Sequence, residues 1–309
     1  MKRSVSIISV PFDSAHFNKR MGAGPLHIID NGLINVLEAA GNKVLYTEIA
    51  RQEKFPTEIA TSFKLLDLLR SEVEKAIKNQ SFPVVLSGNC SATVGVVAGL
   101  KADDIAIIWF DSHGDCETPA TTVSGFLDGM GIAMLLNKSW QNLLSLYDLN
   151  SSLTGKKIIL AGARDLSQYE EEFIVENGIT KITVDEIRER GIDKLKTACA
   201  ELIRSGTRKI HLHIDVDVID PSVAPSNSYA VENGLDRGEI FSLINSCINE
   251  IPVASATIAS YDPAYDANGK MLDIINELIE KILRRTLNKG ITVMLPCFPL
   301  CSALVSVLF

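Results

Sequence analysis

The stretch Ile107-Ile-Trp-Phe-Asp-Ser-His-Gly-Asp-Cys-Glu-Thr-Pro119 joins an apolar run directly to a cluster of polar side chains. Residues 105–110 are apolar without alternation, which is typical of a parallel strand covered on both faces. Asp111, His113 and Asp115 follow at every second position, so they would converge on one point in an extended segment. Two carboxylates and an imidazole suit Mn, Fe, Co or Zn. Taken alone, the motif fits a metal site and a solvated loop equally well.

A second apolar strand ending in acids is predicted at Lys209-Ile-His-Leu-His-Ile-Asp-Val-Asp-Val-Ile-Asp-Pro221. Asp215 and Asp217 would share one face of this strand. Two buried carboxylates side by side repel each other and are costly to desolvate unless cations compensate them. The alternative is an acidic edge in water, which the interleaved apolar residues disfavour. Two strands that each deliver acids at a carboxyl end predict a metal site in an α/β sheet.

Four motifs resemble those of the arginase/agmatinase (ureohydrolase) family, and they follow the family order over nearly the whole chain. Residues 111–115 resemble its D-A-H-x-D signature, and residues 213–225 resemble S-x-D-x-D-x-x-D-P-x-x-A-P. Residues 88–91 stand where the family has G-G-D-H-S, and residues 22–25 resemble its N-terminal G-x-x-x-G-P loop. The resemblance implies a site for two divalent ions, with manganese as the expected metal, and a homo-oligomer.

The resemblance also implies six metal ligands, namely Cys90, Asp111, His113, Asp115, Asp215 and Asp217. Asp111 and Asp215 would bridge the two ions. Cys90 and Asp115 would complete one site, and the remaining two residues the other. Cys90 replaces a family histidine, as in members that resemble N-hydroxyarginine hydrolases. A thiolate binds divalent ions and favours softer ones, whereas the alternative for a free cysteine is a small core residue.

Strand and helix patterns alternate along the chain, which predicts a three-layer α/β/α sandwich with a mainly parallel central sheet. We expect a single domain over residues 1–309, since no repeat or linker is visible. Residues 28–40 predict a helix ended by Gly41. Residues 167–176 predict an exposed helix, with the run Glu170-Glu-Glu172 as a solvated face. Arg164 is expected to anchor loop carbonyls or carboxylates.

Composition narrows the classes of function. The net charge is −8 and no basic stripe occurs, which excludes a nucleic-acid partner. Six cysteines without paired short spacings predict a reducing compartment, and we expect a cytoplasmic protein without a signal peptide. Residues 291–309 carry no charge but contain two prolines, so we expect a buried tail or a subunit contact rather than a membrane anchor.

The loop after Pro119 occupies the position of the family's substrate loop. Thr122 and Ser124 match residues that hold the amino-acid end of the substrate in arginases, and Ser167 and Ser260 stand at other substrate-contacting positions. Glu117 and Phe126 replace asparagines of the arginase site. A glutamate beside a substrate carboxylate would repel it. These departures disfavour free arginine and favour an amine or a masked carboxylate.

A proton donor to the leaving amine is expected as well. Asp128 stands at the position of the family's proton-shuttle histidine, and Glu117 is the second candidate. The third candidate is a water molecule activated by the metal ions.

The resemblance therefore implies a binuclear-metal hydrolase that cleaves a C–N bond of a guanidino or amidino compound and releases urea or a urea derivative. The expected partner is a small guanidino substrate (arginine-like or N-hydroxyarginine) or an arginine-containing peptide. Two alternatives stay open. One is an amide-cleaving hydrolase on the same scaffold, and the other is a metal-binding homologue without catalysis.

Overall fold

A central eight-stranded sheet forms the middle layer of the computed structural model, which describes residues 4–49 and 57–288. The chain has ten strands in order: β1 Ser4–Val10, β2 Phe12–Asp13, β3 His16–Phe17, β4 Lys43–Glu48, β5 Phe82–Ser87, β6 Ile105–Phe110, β7 Ile158–Ala161, β8 Thr180–Ile182, β9 Lys209–Asp215 and β10 Val253–Ala259. The sheet order is β4-β1-β5-β10-β9-β6-β7-β8, and all its pairings are parallel. Strands β2 and β3 form a separate antiparallel hairpin.

Eleven α-helices are described between and after the strands: α1 Gly24–Asp30, α2 Leu33–Ala39, α3 Glu58–Lys78, α4 Ala92–Leu100, α5 Gly131–Leu135, α6 Gln141–Leu146, α7 Gln168–Asn177, α8 Val184–Arg190, α9 Asp193–Arg204, α10 Arg237–Glu250 and α11 Lys270–Asn288. Four short 3-10 helices occur at Arg20–Ala23, Asp128–Met130, Gly155–Lys157 and Val216–Val218. Helices cross over between the parallel strands, as such a sheet requires.

The core divides into two clusters, one on each face of the sheet. One cluster packs α1, α2 and α8 to α11 against the sheet through residues such as Leu37, Leu202 and Ile275. The other packs α3 to α7 against it through residues such as Phe63, Val96 and Trp109. Because both faces are covered, the central strands are continuously apolar rather than alternating. The prediction of an α/β/α sandwich with a parallel sheet is confirmed.

The helix predicted over residues 28–40 is wrong in its bounds. The structure has two helices there, α1 and α2, which are separated at Asn31 and Gly32. Gly32 has a φ of +91°, a conformation that glycine adopts without steric cost and that interrupts the helix.

The segment around Gly22 and Gly24 packs against two of the turns that carry site residues. A Cβ on Gly24 would lie 2.1 Å from the carbonyl oxygen of Tyr261, and one on Gly88 would lie 2.2 Å from that of Phe12. Backbones approach so closely at these points that only glycine fits. The N-terminal loop is thereby fixed beside the turn that bears Cys90.

The described residues do not test the predictions for the C-terminal tail and for the number of domains. The tail of residues 291–309 is outside the described residues, and the single-domain interpretation of residues 1–309 stays a prediction. Within residues 4–49 and 57–288, no helix is long and apolar enough to cross a bilayer.

Candidate metal centre

The polar residues of interest follow the carboxyl ends of four neighbouring strands. In the sheet these strands lie in the order β5, β10, β9 and β6. Cys90 follows β5, Asp111 follows β6, Asp215 ends β9, and Ser260 follows β10. Parallel strands place their carboxyl ends on one edge of the sheet, so residues far apart in the chain meet there.

The segments that carry the acids are turns, whereas the alternating sequence pattern predicted extended chain. After β6 the chain bends, Asp115 has a φ of +49°, and the backbone N–H of His113 donates to Asp111 Oδ1 over 2.8 Å. After β9 the chain forms a 3-10 turn in which the N–H of Asp217 donates to Asp215 Oδ1 over 2.9 Å. Each turn is closed by the first carboxylate accepting the N–H two residues on, a local pattern that competes with strand geometry.

We call Asp111, His113 and Asp217 the outer group, because His113 is only partly buried. Their ligand atoms all lie within 4.8 Å of one another. His113 Nδ1 lies 3.3 Å from Asp111 Oδ1 and 3.5 Å from Asp217 Oδ2. The hydroxyl of Ser112 donates to Asp217 Oδ1 over 2.8 Å and orients that carboxylate.

We call Cys90, Asp111 and His213 the inner group, because all three are fully buried. Their ligand atoms also lie within 4.8 Å of one another. The Cys90 thiol donates to Asp215 Oδ2 over 2.8 Å and lies 3.9 Å from Asp111 Oδ2 and 3.4 Å from the hydroxyl of Ser260. Asp111 belongs to both groups and therefore links them.

The buried acids carry an electrostatic cost. Burial, and then the neighbouring carboxylates, raise the pKa of Asp215 and of Asp115 well above the usual range. Burial also raises the pKa of the Cys90 thiol, as do the acids around it. Burial works against a charged His113, but Asp217 and Asp111 outweigh it and raise its pKa to about 10. The two carboxylates thus favour a positive charge at the position of His113.

Divalent cations fit this donor set. Asp115 Oδ2 is buried and has no hydrogen-bond partner within the described part of the chain. Such an unpaired carboxylate oxygen is costly unless a cation or a proton binds it. The combination of carboxylate, imidazole and thiol donors suits first-row divalent metals. Cys90, Asp111, His113, Asp215 and Asp217 are brought together as predicted from the sequence, and Asp115 lies beside them.

Asp128 holds the turn that carries Cys90. Its Oδ1 accepts from the N–H of Ser91 over 2.8 Å, and its Oδ2 accepts from Asn89 Nδ2 over 2.9 Å. The amide of Asn89 is itself oriented, because its Oδ1 accepts from the N–H of Ser14 over 2.8 Å. Burial raises the pKa of Asp128 to about 6 although these donors lower it. Its role as proton donor stays a prediction.

We expect Asp128→Asn to destabilise the protein by about 1–3 kcal/mol, measured as the free energy of unfolding in urea. The amide that replaces the carboxylate has a single acceptor oxygen, so it can accept from the N–H of Ser91 or from Asn89 but not from both. If it accepts from Ser91, its NH2 group faces the NH2 group of Asn89 and that hydrogen bond is lost. The control is Asp148→Asn on an exposed loop, where little change is expected. An Asp128→Asn protein as stable as the unmodified chain would contradict this positioning role.

The substrate-loop residues Thr122 and Ser124 lie at the surface, where they form a local turn. Their hydroxyls are 3.3 Å apart and accept from the N–H groups of Gly125 and Phe126. Between them, the side chain of Val123 is 99% exposed. Their contact with a substrate stays a prediction.

Phe126 and Tyr229 stack on each other, with ring centroids 5.5 Å apart and planes inclined by 18°. They join the substrate loop to the loop after β9. Glu117 is half-buried, and its N–H donates to the carbonyl of Gly129 over 2.9 Å. The aromatic pair therefore links the loop after Pro119 to the loop after β9.

Ser167 is engaged in capping helix α7. Its hydroxyl donates to Glu170 Oε2 over 3.0 Å and accepts from the N–H of Glu170, which completes a capping box. Glu170 is buried and accepts weakly from the N–H of Cys116 over 3.4 Å. The expectation that Glu170 belongs to a solvated acidic face is therefore wrong, since the carboxylate is needed for the cap. The substrate contact of Ser167 stays a prediction.

Arg164 anchors loop carbonyls, as predicted. Its guanidinium donates to the carbonyls of Val231, Glu232 and Asp217 over 2.6, 3.0 and 2.9 Å. Five donors in a fixed fork suit such a cluster of carbonyl acceptors. Arg164 thereby holds the turn that bears Asp217 next to the loop that leads from Tyr229.

Two site residues were missed at the sequence level. His213 belongs to the inner group, and Asn227 Nδ2 donates to the carbonyl of Ser260 over 2.8 Å and lies 3.4 Å from Asp217 Oδ2. The spacing of His213 two residues before Asp215 was a usable signal, because both side chains face the same side of the strand. Asn227 gave no such signal, since its position depends on a loop.

The chain is similar to known proteins in sequence and in fold. The sequence model of the Arginase family matches residues 3–284. The arginase of Bacillus subtilis (strain 168) is 26% identical over 296 residues, covering 93% of this chain and 100% of that protein. The crystal structure of arginase from Bacillus cereus has a TM-score of 0.83 at 27% identity, covering 91% of this chain and 98% of its own. Arginase from Bacillus caldovelox has a TM-score of 0.82 at 26% identity, with the same coverage. The chain therefore belongs to the arginase family, whose members are hydrolases that act on C–N bonds in linear amidines.

Proposed function

We propose that this protein is a binuclear-metal hydrolase that cleaves a guanidino C–N bond and releases urea or a urea derivative. The observation that carries this proposal is the sharing of Asp111 between the inner and the outer group at the carboxyl edge of the sheet. A shared carboxylate between two groups is what a bridged pair of divalent ions needs. The six side chains Cys90, Asp111, His113, Asp115, Asp215 and Asp217 would hold the ions, which we expect to be Mn²⁺ or related divalent metals.

When bound, two such ions would supply Lewis-acid polarisation of the amidine and a water activated near neutral pH. The protein's own residues keep the ligands in place. Ser112 orients Asp217, Asp128 holds the turn of Cys90, and Trp109 Nε1 donates to Asp111 Oδ2 over 2.9 Å. Such supporting hydrogen bonds commonly determine how well a metal centre works.

We propose further that the substrate has no free carboxylate facing the substrate loop. Glu117 would repel a carboxylate there, while the Phe126–Tyr229 pair offers an apolar and cation-binding wall. Arginine with its carboxylate blocked, as in a peptide, fits this surface better than free arginine does.

The test is a turnover screen over arginine, N-hydroxyarginine, agmatine, guanidinobutyrate and arginine-containing peptides. Release of urea or hydroxyurea supports the proposal, and the highest kcat/KM is expected for a blocked arginine. Acetate released from acylated amines would instead indicate an amide-cleaving hydrolase. Bound metal without turnover on any compound would indicate a metal-binding homologue.

Replacing Glu117 by glutamine should raise kcat/KM for free arginine relative to a blocked arginine by about tenfold. One like charge near a partly solvated substrate carboxylate is worth roughly 1–2 kcal/mol. The control is Glu176→Gln on the exposed end of α7, which should leave the ratio unchanged. An unchanged ratio in the Glu117→Gln protein would show that this acid does not face the substrate carboxylate.

Metal binding should release protons, and the apparent affinity should rise with pH. In the metal-free protein His113, with a pKa of about 10, carries a proton at neutral pH. The raised pKa values of Cys90, Asp115 and Asp215 favour the protonated form of these side chains as well. All metal ligands bind deprotonated, so each released proton adds roughly tenfold in affinity per pH unit.

Calorimetry of the metal titration in two buffers of different ionisation enthalpy measures this release. At pH 7 we expect about one proton or more per protein. His113→Asn should reduce the number by about one, because the group that titrates is then absent. Heats that do not depend on the buffer would contradict a protonated cluster.

A further inference from the structure

His213 lies beneath the metal centre on the central strand β9. It is 0% exposed, and its side chain points to the same face of the sheet as that of Asp215. One of its ring nitrogens lies within 4.8 Å of Cys90 Sγ and of an Asp111 oxygen. A thiol, a carboxylate and an imidazole from three different strands thus meet at one buried point.

The imidazole of His213 is held in one orientation. Its Nδ1 lies 2.8 Å from the hydroxyl of Thr93, and its ring stacks on Trp109 with a centroid distance of 3.7 Å. Its Nε2 has no hydrogen-bond partner in residues 4–49 and 57–288. Histidines that bind metals use one nitrogen for the ion and donate from the other to a supporting partner. Nε2 is therefore the nitrogen left for a cation.

A buried histidine nitrogen without a hydrogen-bond partner does not by itself indicate a metal ligand, as His211 shows. His211 is equally buried on the same strand, its Nδ1 lies 2.7 Å from the hydroxyl of Ser255, and its Nε2 also lacks a partner among the described residues. Yet His211 belongs to neither of the two ligand groups found in the described part of the chain. The distance to Cys90 and Asp111 distinguishes His213, and His211 supplies a matched control.

We propose that His213 is a direct ligand of the ion held by the inner group, in addition to Cys90 and Asp111. This proposal rests on the proposed metal-dependent function. With a thiolate and an imidazole, the inner site has softer donors than the outer site, where carboxylates and His113 prevail. Thiolate and imidazole ligands favour Zn²⁺ or Co²⁺, whereas carboxylates suit Mn²⁺. The inner site should therefore prefer a softer divalent metal than the outer site does.

The first test is a Zn²⁺ titration of the metal-free full-length protein against a chelator. His213→Gln should weaken the tightest Zn²⁺ site by about 100-fold or more, because a direct ligand is lost. Thr93→Val, which removes the partner of Nδ1, should weaken it by about tenfold. His211→Gln should leave it unchanged. Equal Zn²⁺ affinity in the His213→Gln protein and the unmodified protein would overturn the proposal.

The second test uses X-ray absorption and does not depend on the folding of a His213 variant. The protein carrying His113→Asn lacks the imidazole of the outer group, and it is loaded with one equivalent of Zn²⁺. We expect one sulfur at about 2.3 Å and one imidazole nitrogen at about 2.0–2.1 Å from the metal. A zinc shell without imidazole would overturn the proposal.

The two tests also separate this proposal from the proposed function. Metal binding and urea release that do not depend on His213 would overturn the additional ligand and leave the hydrolase intact. An unmodified protein that binds no metal would overturn both.

Discussion

Asp111→Asn is expected to lower kcat/KM by about 10⁴-fold, which corresponds to about 5.5 kcal/mol of transition-state stabilisation. Asp111 is the residue common to both ligand groups, so its charge would act on both ions. Asparagine keeps the shape of the side chain but removes the negative charge and one acceptor. Neither ion should then bind with native affinity, and bound metal should fall well below two ions per protein.

Two measurements check this result. Elemental analysis gives the metal content, and thermal unfolding with and without metal gives the stabilisation by bound ions. The unmodified protein should unfold at a higher temperature when metal is added, whereas the Asp111→Asn protein should not. The control is Asp193→Asn at the exposed start of α9, which removes the same charge away from the site. An Asp111→Asn protein with full metal content and near-native activity would refute the shared-ligand assignment.

Cys90→Ala is expected to have the second-largest effect, a loss of about 10³-fold in kcat/KM, or about 4 kcal/mol. The thiol is fully buried and contacts Asp215, Asp111 and Ser260. Without it the inner group loses its soft donor, and the ion held there should be lost first. Metal content should therefore fall from two ions to about one.

Cys90→His separates the two interpretations of this residue. An imidazole at position 90 should keep both ions but shift the preference of the inner site from Zn²⁺ or Co²⁺ towards Mn²⁺. The control is Cys116→Ala, which removes another buried thiol that donates to the carbonyl of Gly114 over 2.9 Å. If Cys90→Ala retained metal and activity as fully as Cys116→Ala does, Cys90 would be a core residue without a ligand role.

Much of the candidate metal centre is predictable from sequence because the relevant signals are local. The unbroken apolar run before Asp111 indicates a buried strand, and the acids that follow it and those at Asp215 and Asp217 indicate two strand ends. The turn geometry was not predictable in the same way. Whether an acid after a strand continues the extended chain or closes a turn depends on which N–H its carboxylate meets. In this fold Asp111 and Asp215 both close turns.

The sequence by itself determined the parallel α/β/α architecture and the strand ends that carry the acids, because periodicity reports burial along one segment at a time. Cys90 became a candidate ligand only through the resemblance of residues 88–91 to a family motif. Only the tertiary structure decided that His213 joins Cys90 and Asp111 and that Asp128 holds the turn of Cys90. These relations join residues that are distant along the chain. They depend on the order β5-β10-β9-β6 in the sheet, which is set by how the crossover helices pack and which no local pattern encodes.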